Sequence, residues 1–264
     1  MMTMMNSVSF ANLSTICGSF AIYSRFFRRY KTALDIPTAL YHRQGKIRGR
    51  VVSVGDADNF RLYHTPGGIL AGWGWARPIP YQRIWKRSST ATHPKETKQR
   101  AAAPKPSSIW KSLVFTGRPL KKRAAQPKLS SETIHIRLCG IDAPECASFG
   151  HPGQRYSTEA KQWLKSYVLG KRVTVRLDLL DQYQRAVGKA TVWTILGPRD
   201  VSAEMLKAGW AIVYESNRNA SFGTTRKQYE MLEDHAKKKR VGVWQSTEGF
   251  ETPSEYKRRM KADI

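Results

Sequence analysis

The stretch that decides the fold is residues 132–145, ETIHIRLCGIDAPE, in which aliphatic and polar side chains alternate. The polar members include His135 and Arg137, and the aliphatic ones are Ile134, Ile136 and Leu138. Successive side chains of a strand point to opposite faces, so the pattern predicts a β-strand with one face in a core. Arg137 then lies on the other face, where it is available for chemistry.

Upstream of this strand, residues 47–54 and 58–64 are rich in β-forming side chains and are joined by a short Gly-Asp-Ala connection. That arrangement predicts a hairpin. Downstream, apolar residues recur at helical spacing from Ser157, the expected N-cap, to Gly170, the expected stop. The spacing predicts a helix between these two residues.

The remainder of the chain supplies more strands and helices. Residues 171–178 and 185–196 predict two strands, and residues 200–208 and 224–239 predict two shorter helices. Five short strands with helices set apart from them predict an α+β domain. A small Greek-key barrel closes five strands most economically.

Composition points to one main domain and a polyanionic partner. The 264 residues are 41% hydrophobic, enough for one substantial core, and 45 Lys and Arg against 20 acids give a net charge of +25. Such a surface attracts nucleic acid in a salt-dependent way. Charge alone also fits disordered basic tails, so this argument supports a nucleic-acid partner without establishing one.

Several other kinds of site find no support in the sequence. Its six histidines follow no metal-binding spacing. Cys17, Cys139 and Cys146 match neither a zinc motif nor a disulfide framework. No phosphate-binding P-loop is present, so no nucleotide cofactor is expected.

Six charged side chains from three separate segments form a candidate active site. Hydrolysis of a phosphodiester requires neutralisation of a highly negative transition state and removal of a proton from water. Carboxylates and guanidinium groups are suited to both tasks, and Pro144 stiffens the turn between two of the acids. The six are Asp56, Asp58, Arg137, Asp142, Glu145 and Arg185.

Six motifs resemble the staphylococcal nuclease (thermonuclease) family, and most closely its fungal mitochondrial, membrane-anchored members. They are VVSVGDADNFRLYHTPGG, ETIHIRLCGIDAPE, HPGQRYSTEAKQWLKSYVLGKRV, DQYQRAVGKATV, EMLKAGWAIVYE and KKKRVGVW. The resemblance covers residues 47 to about 85 and 132 to about 245. It implies a five-stranded OB-type barrel with about three helices over residues 47–250, and a calcium-dependent endonuclease acting on DNA or RNA.

The resemblance also implies a metal site. A calcium ion would be held by the carboxylates of Asp58 and Asp142 and the backbone carbonyl of Ala143, and Asp56 would support the ion without touching it. Calcium prefers hard oxygen ligands, and so few protein ligands leave room for water and substrate. Ala143 stands where the best-known members carry Thr, a change that a backbone contact tolerates.

The same resemblance assigns the remaining groups. Glu145 would be the general base that acts on water, while Arg137 and Arg185 would grip the phosphate with their planar guanidinium groups. Gln184 replaces a Gly that is common before the second arginine. If that position needs a positive φ, the turn is strained by roughly 1 to 2 kcal/mol.

The N-terminus resembles a membrane anchor. Residues 1–24 carry no charge, and a cationic flank follows within residues 25–31. A helix over residues 8–27 would span about 30 Å, enough for a hydrocarbon core, although five polar residues weaken it. The acid-free, Arg-bearing segment also fits a removable mitochondrial leader or a disordered one, and the sequence leaves these alternatives open. Together with the resemblance it predicts a mitochondrial, single-pass membrane protein.

Three other segments are expected outside the nuclease-like domain proper. Residues 86–128 hold 12 Lys or Arg against the single acid Glu96 and predict a flexible basic insertion. Residues 32–46 are expected to be a linker, and residues 251–264 a charged tail. The sequence does not indicate an oligomeric state.

Two other functions compete with the enzyme. One is a catalytically inactive OB module that binds nucleic acid or a protein partner; such modules characteristically lack one or more of the catalytic groups, and none is missing in this sequence. The other is a structural membrane protein whose basic segment lies on anionic lipid.

Overall fold

The computed structural model describes residues 26–77, 128–147, 152–214, 225–246 and 251–262, together with Ser19, Ile22 and Tyr23. The strands in this part of the chain are β1 (Lys46–Asp56), β2 (Asn59–His64), β3 (Ile134–Leu138), β4 (Ile141–Asp142), β5 (Arg172–Leu180), β6 (Ala186–Thr194), β7 (Gly197–Asp200) and β8 (Ile212–Val213). The α-helices are α1 (Thr38–His42), α2 (Ser157–Val168), α3 (Val201–Lys207), α4 (Thr225–Lys239) and α5 (Pro253–Ala262). Two 3-10 turns span Leu129–Ser131 and Gly242–Gln245.

Five of these strands close into a barrel. Their order is β3-β2-β1-β5-β6, and β3 also pairs in parallel with β6, so the two ends of the row meet. Strand β7 extends the sheet as a hairpin with β6, and β4 pairs separately with β8. The expected α+β class and five-stranded barrel of OB type are confirmed.

The barrel interior is filled by the alternating residues that the sequence indicated. The inward side chains of β3 and β5 are each at most 2% exposed: Ile134, Ile136, Leu138, Val173, Val175 and Leu177. A Cβ atom at Gly188 would lie 2.5 Å from the carbonyl oxygen of Arg176, so only glycine allows β5 and β6 to approach this closely. His135 and Arg137 lie on the outer face of β3, as expected.

The predicted helices exist, with one correction at the start of α2. Ser157 is the first helical residue and is buried, whereas the N-cap position is occupied by Tyr156 at φ 66° without a side-chain cap hydrogen bond. The left-handed backbone at Tyr156 turns the chain into the helix and places Ser157 against the domain. Gly170 ends the helix at φ 75°, as predicted.

The expected linker over residues 32–46 is part of the packed domain. Ala33, Ile36 and Tyr41 are at most 6% exposed and belong to the main core, and the Tyr41 hydroxyl donates to the Ala33 carbonyl at 3.0 Å. These apolar residues have no regular period, which is why the sequence did not suggest an element. The free energy gained by burying these side chains stabilises the segment although its sequence has no regular period.

The cationic flank before this segment also contacts the domain. Arg29 and Lys31 both form ion pairs with Glu132, at 3.0 Å for Lys31. The Tyr30 backbone N–H donates to His64 Nδ1 at 3.0 Å, and burial lowers the pKa of His64 to about 4. At neutral pH His64 is therefore a neutral acceptor that fixes the N-terminal segment to β2.

The expected charged tail contains α5 and the expected linker contains α1, so the described residues hold five complete α-helices where about three were expected. Pro253 and Tyr256 of this helix are buried against the domain. The high charge of residues 251–264 concealed the short apolar stripe that packs the helix.

Two predicted segments lie outside the described residues. They are the anchor over residues 8–27, apart from Ser19, Ile22, Tyr23, Phe26 and Phe27, and the basic insertion over residues 86–128, apart from Lys128. Among the helices that the structure does describe, none has both the length and the apolar character that crossing a bilayer requires.

Candidate active site

Asp58 lies in the connection between β1 and β2 and is only 5% exposed. Its backbone carbonyl accepts a hydrogen bond from Leu138 N–H at 2.9 Å, which ties the hairpin turn to the end of β3. Its Oδ1 accepts from Asn59 Nδ2 at 3.0 Å, and its Oδ2 lies 3.4 Å from Arg137 Nη2. The side chain is thus aimed at the outer face of β3.

Asp142 reaches the same point from β4. It is 3% exposed, and its Oδ1 lies 3.4 Å from the same Arg137 nitrogen that contacts Asp58. Burial raises the pKa of Asp142, while Lys257 and Arg137 oppose that rise. Two carboxylates from distant parts of the sequence therefore converge on one cation.

Arg137 holds the centre of this cluster. Burial alone would lower the pKa of its guanidinium, but the charges of Asp58 and Asp142 outweigh burial and raise it. The guanidinium carbon lies 5.7 Å from the centroid of the Tyr214 ring. Arg137 is therefore charged and is held between two acids and an aromatic face.

Glu145 follows Pro144 on the loop after β4 and is half-buried. Its backbone N–H donates to Gln154 Oε1 at 3.2 Å, and its carbonyl accepts from Gln154 N–H at 2.8 Å. Burial raises the pKa of its carboxyl group; Lys257 opposes the rise, and Asp58 and Asp56 add to it. A carboxylate in this environment is a stronger proton acceptor than one in water.

Asp56 supports the cluster from its own loop. Its Oδ1 accepts from the backbone N–H of Ala57 at 2.8 Å and from that of Cys146 at 3.3 Å. The second contact connects the β1–β2 turn to the residue that follows Glu145. Asp56 therefore fixes two loops of the site to each other.

Arg185 lies beside this cluster, at the start of β6. Val187 is the parallel partner of Arg137, and Arg185 precedes it by two residues, which puts the Cα atoms of the two arginines roughly 8 Å apart. The guanidinium pairs with Asp181 within its own turn, with Nε 2.6 Å from Oδ2.

The turn before Arg185 has the conformation that the sequence raised as a concern. Gln184 adopts φ 58°, which is left-handed backbone. Hydrogen bonds hold the turn nevertheless, since Asp181 Oδ1 accepts from the Arg185 N–H at 2.8 Å and from the Tyr183 N–H at 2.9 Å. Asp181 therefore fixes the backbone that carries Arg185.

One residue of the cluster was missed by sequence reasoning. Lys257 Nζ on α5 lies 2.7 Å from Glu145 Oε1 and 3.1 Å and 3.4 Å from the two carboxylate oxygens of Asp142. Burial would lower the pKa of Lys257, but Asp142 and Glu145 raise it. The signal in the sequence was the spacing of Pro253, Tyr256 and Met260 around it, one apolar stripe of a short helix.

A hydrogen-bonded chain behind Asp58 was also missed. His135 Nε2 lies 3.1 Å from Asn59 Oδ1, and Asn59 in turn donates to Asp58. Burial and the charges of Arg61 and Arg185 lower the pKa of His135 to about 4. The neutral ring orients the amide of Asn59, which orients the carboxylate.

The residues present fit a hard divalent cation. Asp58 and Asp142 offer carboxylate oxygens that converge on one positive group, and oxygen is the donor that calcium prefers. Among the described residues, no group of three or more His, Cys, Asp and Glu is placed to hold a metal ion, so the two carboxylates would need backbone oxygen, water or substrate to complete a coordination shell. Burial raises the pKa of Cys139 and of Cys146 to about 12, so neither thiol supplies a thiolate.

Comparison with known proteins matches the chain to one family model and to several fungal proteins. The family model described as "Staphylococcal nuclease homologue" matches residues 135–246. The chain is 43% identical to the Probable endonuclease LCL3 of Yarrowia lipolytica over 243 residues, which are 92% of this chain and 88% of that protein. It is 41% identical to the protein of the same name from Clavispora lusitaniae, over 91% of this chain and 84% of that protein. With the Komagataella phaffii relative the identity is 40%, over 94% of this chain and 90% of that protein.

Proposed function

Since this chain belongs to the staphylococcal nuclease family and is a nuclease, a hydrolase that acts on nucleic acid, we propose that it is a calcium-dependent endonuclease for DNA or RNA whose site is the cluster around Arg137. One observation carries the proposal: Asp58 Oδ2 and Asp142 Oδ1 each lie 3.4 Å from the same nitrogen of Arg137. Buried acids meet at one point only when the fold enforces it, because each carboxylate costs free energy to desolvate.

In this proposal Asp58, Asp142 and the Ala143 carbonyl hold the calcium ion. When bound, the ion polarises a phosphate oxygen and makes a bound water more acidic. Asp56 keeps the two loops of the site together through its hydrogen bonds to Ala57 and Cys146. The burial of both ligating carboxylates supports the assignment, since a cation relieves the repulsion between them.

Glu145 takes the proton from the attacking water. Its half-buried position and raised pKa support this role, because a general base works best when its pKa approaches the working pH. Arg137 and Arg185 bind the phosphate, and their guanidinium groups match the oxygens that gain negative charge in the transition state. For Arg185, binding the phosphate replaces the ion pair with Asp181.

The test is a cleavage assay with the purified full-length protein on DNA and on RNA, in calcium and then in a calcium chelator. We expect cleavage in calcium and its loss in chelator. Arg185→Ala should lower turnover about 100-fold, the usual loss when a group that stabilises the transition state is removed. Arg176→Ala is the matched control, because Arg176 is exposed on the neighbouring strand β5, and its turnover should change less than twofold.

Two other outcomes of this assay would contradict parts of the proposal. Salt-dependent binding of nucleic acid without cleavage under any of these conditions would identify an inactive OB module. Cleavage that persists in chelator would leave the nuclease assignment intact and exclude the calcium site.

We further propose that residues 8–27 anchor the protein in a mitochondrial membrane. The uncharged stretch over residues 1–24, followed by Arg25, Arg28 and Arg29, supports this placement. The protein should stay with mitochondrial membranes after carbonate extraction. Full release of the intact chain would contradict the anchor.

A further inference from the structure

We propose that Lys257 is a built-in competitor of the divalent ion: in the metal-free protein its ammonium group occupies the acids of the site, and it leaves when the ion binds. The proposal rests on the proposed function, because it takes Asp142 as a metal ligand. It adds a role for α5 in setting the calcium affinity.

The first support is the position of the ammonium group. Lys257 Nζ bridges Glu145 at 2.7 Å and both oxygens of Asp142 at 3.1 Å and 3.4 Å. A single positive charge thereby neutralises the proposed ligand and the proposed base together. Arg137 lies on the other side of Asp142, 3.4 Å from Oδ1. Two of the protein's own cations, Arg137 and Lys257, therefore lie against this acidic cluster.

The second support is that α5 is built to deliver this side chain. The helix starts with a capping box, in which Thr252 Oγ1 accepts from the Glu255 N–H at 3.2 Å and Glu255 Oε2 accepts from the Thr252 N–H at 2.8 Å. The buried Tyr256 donates from its hydroxyl to the Pro152 carbonyl. Lys257 follows Tyr256 directly in the helix, so docking of Tyr256 fixes the turn of α5 from which the ammonium group reaches Glu145 and Asp142.

The third support is that α5 is only partly packed against the domain. A cavity of about 160 Å³ lies between α5 and the domain, lined by Pro144, Gln154, Tyr256 and Arg259 among others. The pocket leaves part of the interface beneath α5 open to solvent instead of packed, and regions with fewer packed contacts open more readily than the core. The long lysine side chain can also withdraw by rotation alone.

Electrostatic repulsion would make Lys257 and a calcium ion compete for Asp142. Calcium binds carboxylate oxygens at about 2.3 to 2.6 Å, which would put a doubly charged ion close to the ammonium group on the same carboxylate. Both cations cannot be held by Asp142 Oδ1 without strong repulsion. Binding of the ion therefore requires release of Lys257, and by reciprocity a docked Lys257 weakens the binding of the ion.

The experiment is calorimetric titration of calcium chloride into the full-length protein, with Lys257→Gln and Arg258→Gln compared with the wild type. Arg258→Gln is the matched control, since it removes one positive charge from the exposed face of the same helix. We expect Lys257→Gln to bind calcium about 5- to 150-fold more tightly, the usual range for coupled sites. Arg258→Gln should differ from the wild type by less than twofold, and Lys257→Arg, which keeps the charge, should resemble the wild type.

A second measurement follows the helix itself. Hydrogen exchange of the amides in residues 253–262 should become faster when calcium saturates the wild type, because α5 loses the Lys257 contacts. Equal calcium affinities for Lys257→Gln and Arg258→Gln, or unchanged exchange in α5, would overturn the competition while leaving the metal site in place. Lack of calcium binding by every variant would overturn the metal assignment, and the competitor role with it.

Discussion

The two sides of the site are held by different parts of the chain. Asp58 and Asp142 lie on one side, and Glu145 lies on the other. The first two are 5% and 3% exposed and lie on the β1–β2 turn and on β4, where backbone pairing fixes them. The Glu145 side chain is 26% exposed on a loop. Its neighbours are Gln154 and Lys257, which lie outside the barrel strands.

The difference teaches that strand pairing and the β1–β2 turn fix the proposed metal ligands, whereas the proposed base depends on segments outside the barrel strands. Pairing of β3 with β2 and β6 places Arg137, the Leu138 N–H holds the Asp58 carbonyl beside it, and pairing of β4 with β8 places Asp142. Glu145 reaches its position only when the loop before α2 and helix α5 have packed. Substitutions on the two sides should therefore separate metal binding from proton transfer.

The largest effect is expected on the metal side. Asp142→Asn removes a negative oxygen that the ion needs, so calcium binding should be lost at millimolar concentration. Cleavage should fall about 1000-fold, the upper range for loss of one electrostatic group. Calorimetry and the cleavage assay on the same preparation check both expectations. Retained calcium affinity in Asp142→Asn would mean that the ion binds elsewhere.

A smaller effect is expected on the base side. Glu145→Gln keeps the shape of the side chain but cannot accept the proton from water, so cleavage should fall about 100-fold. Calcium affinity should change far less than in Asp142→Asn, because Glu145 is not assigned as a ligand. Glu159→Gln, on the exposed face of α2, is the control and should retain full activity. Equal losses of calcium affinity in Asp142→Asn and Glu145→Gln would remove the distinction between the two sides.

The smallest effect concerns the turn that carries Arg185. Because Gln184 adopts φ 58°, Gln184→Gly should relieve strain and raise the free energy of unfolding by about 1 kcal/mol. Gln182→Gly in the same turn is the control: its φ is not among the positive values, so the change should lower stability slightly. Urea unfolding of the two variants measures the difference. Destabilisation by Gln184→Gly would show that the turn is not strained.

The barrel could be predicted from the sequence because its signals were local, whereas the metal ligands were implied by the family resemblance and stay a prediction. Alternation in residues 134–138 defined a strand, and the acids next to Pro144 lay on a short, stiff turn. The positive φ of Gln184 was raised only as a condition by the family resemblance, because a Gly is common at this position and glycine is the ordinary residue for such a conformation.

The segments outside the five barrel strands could not be predicted because their positions depend on tertiary contacts. Tyr30, Ile36 and Tyr41 are buried without a helical or strand period, and β7 (Gly197–Asp200) is a short polar run with a proline. Lys257 is 115 residues from Asp142 in a segment dominated by charge. Only the packing of Tyr256 shows which of those charges faces the site.

The most direct test is a crystal structure of the full-length protein with calcium and a short oligonucleotide that carries a cleavage-resistant phosphate. We predict one ion bound by Asp58, Asp142 and the Ala143 carbonyl, with Arg137 and Arg185 on the adjacent phosphate and Glu145 facing a water on its far side. An ion bound away from Asp58 and Asp142, or a phosphate that neither arginine contacts, would contradict the account.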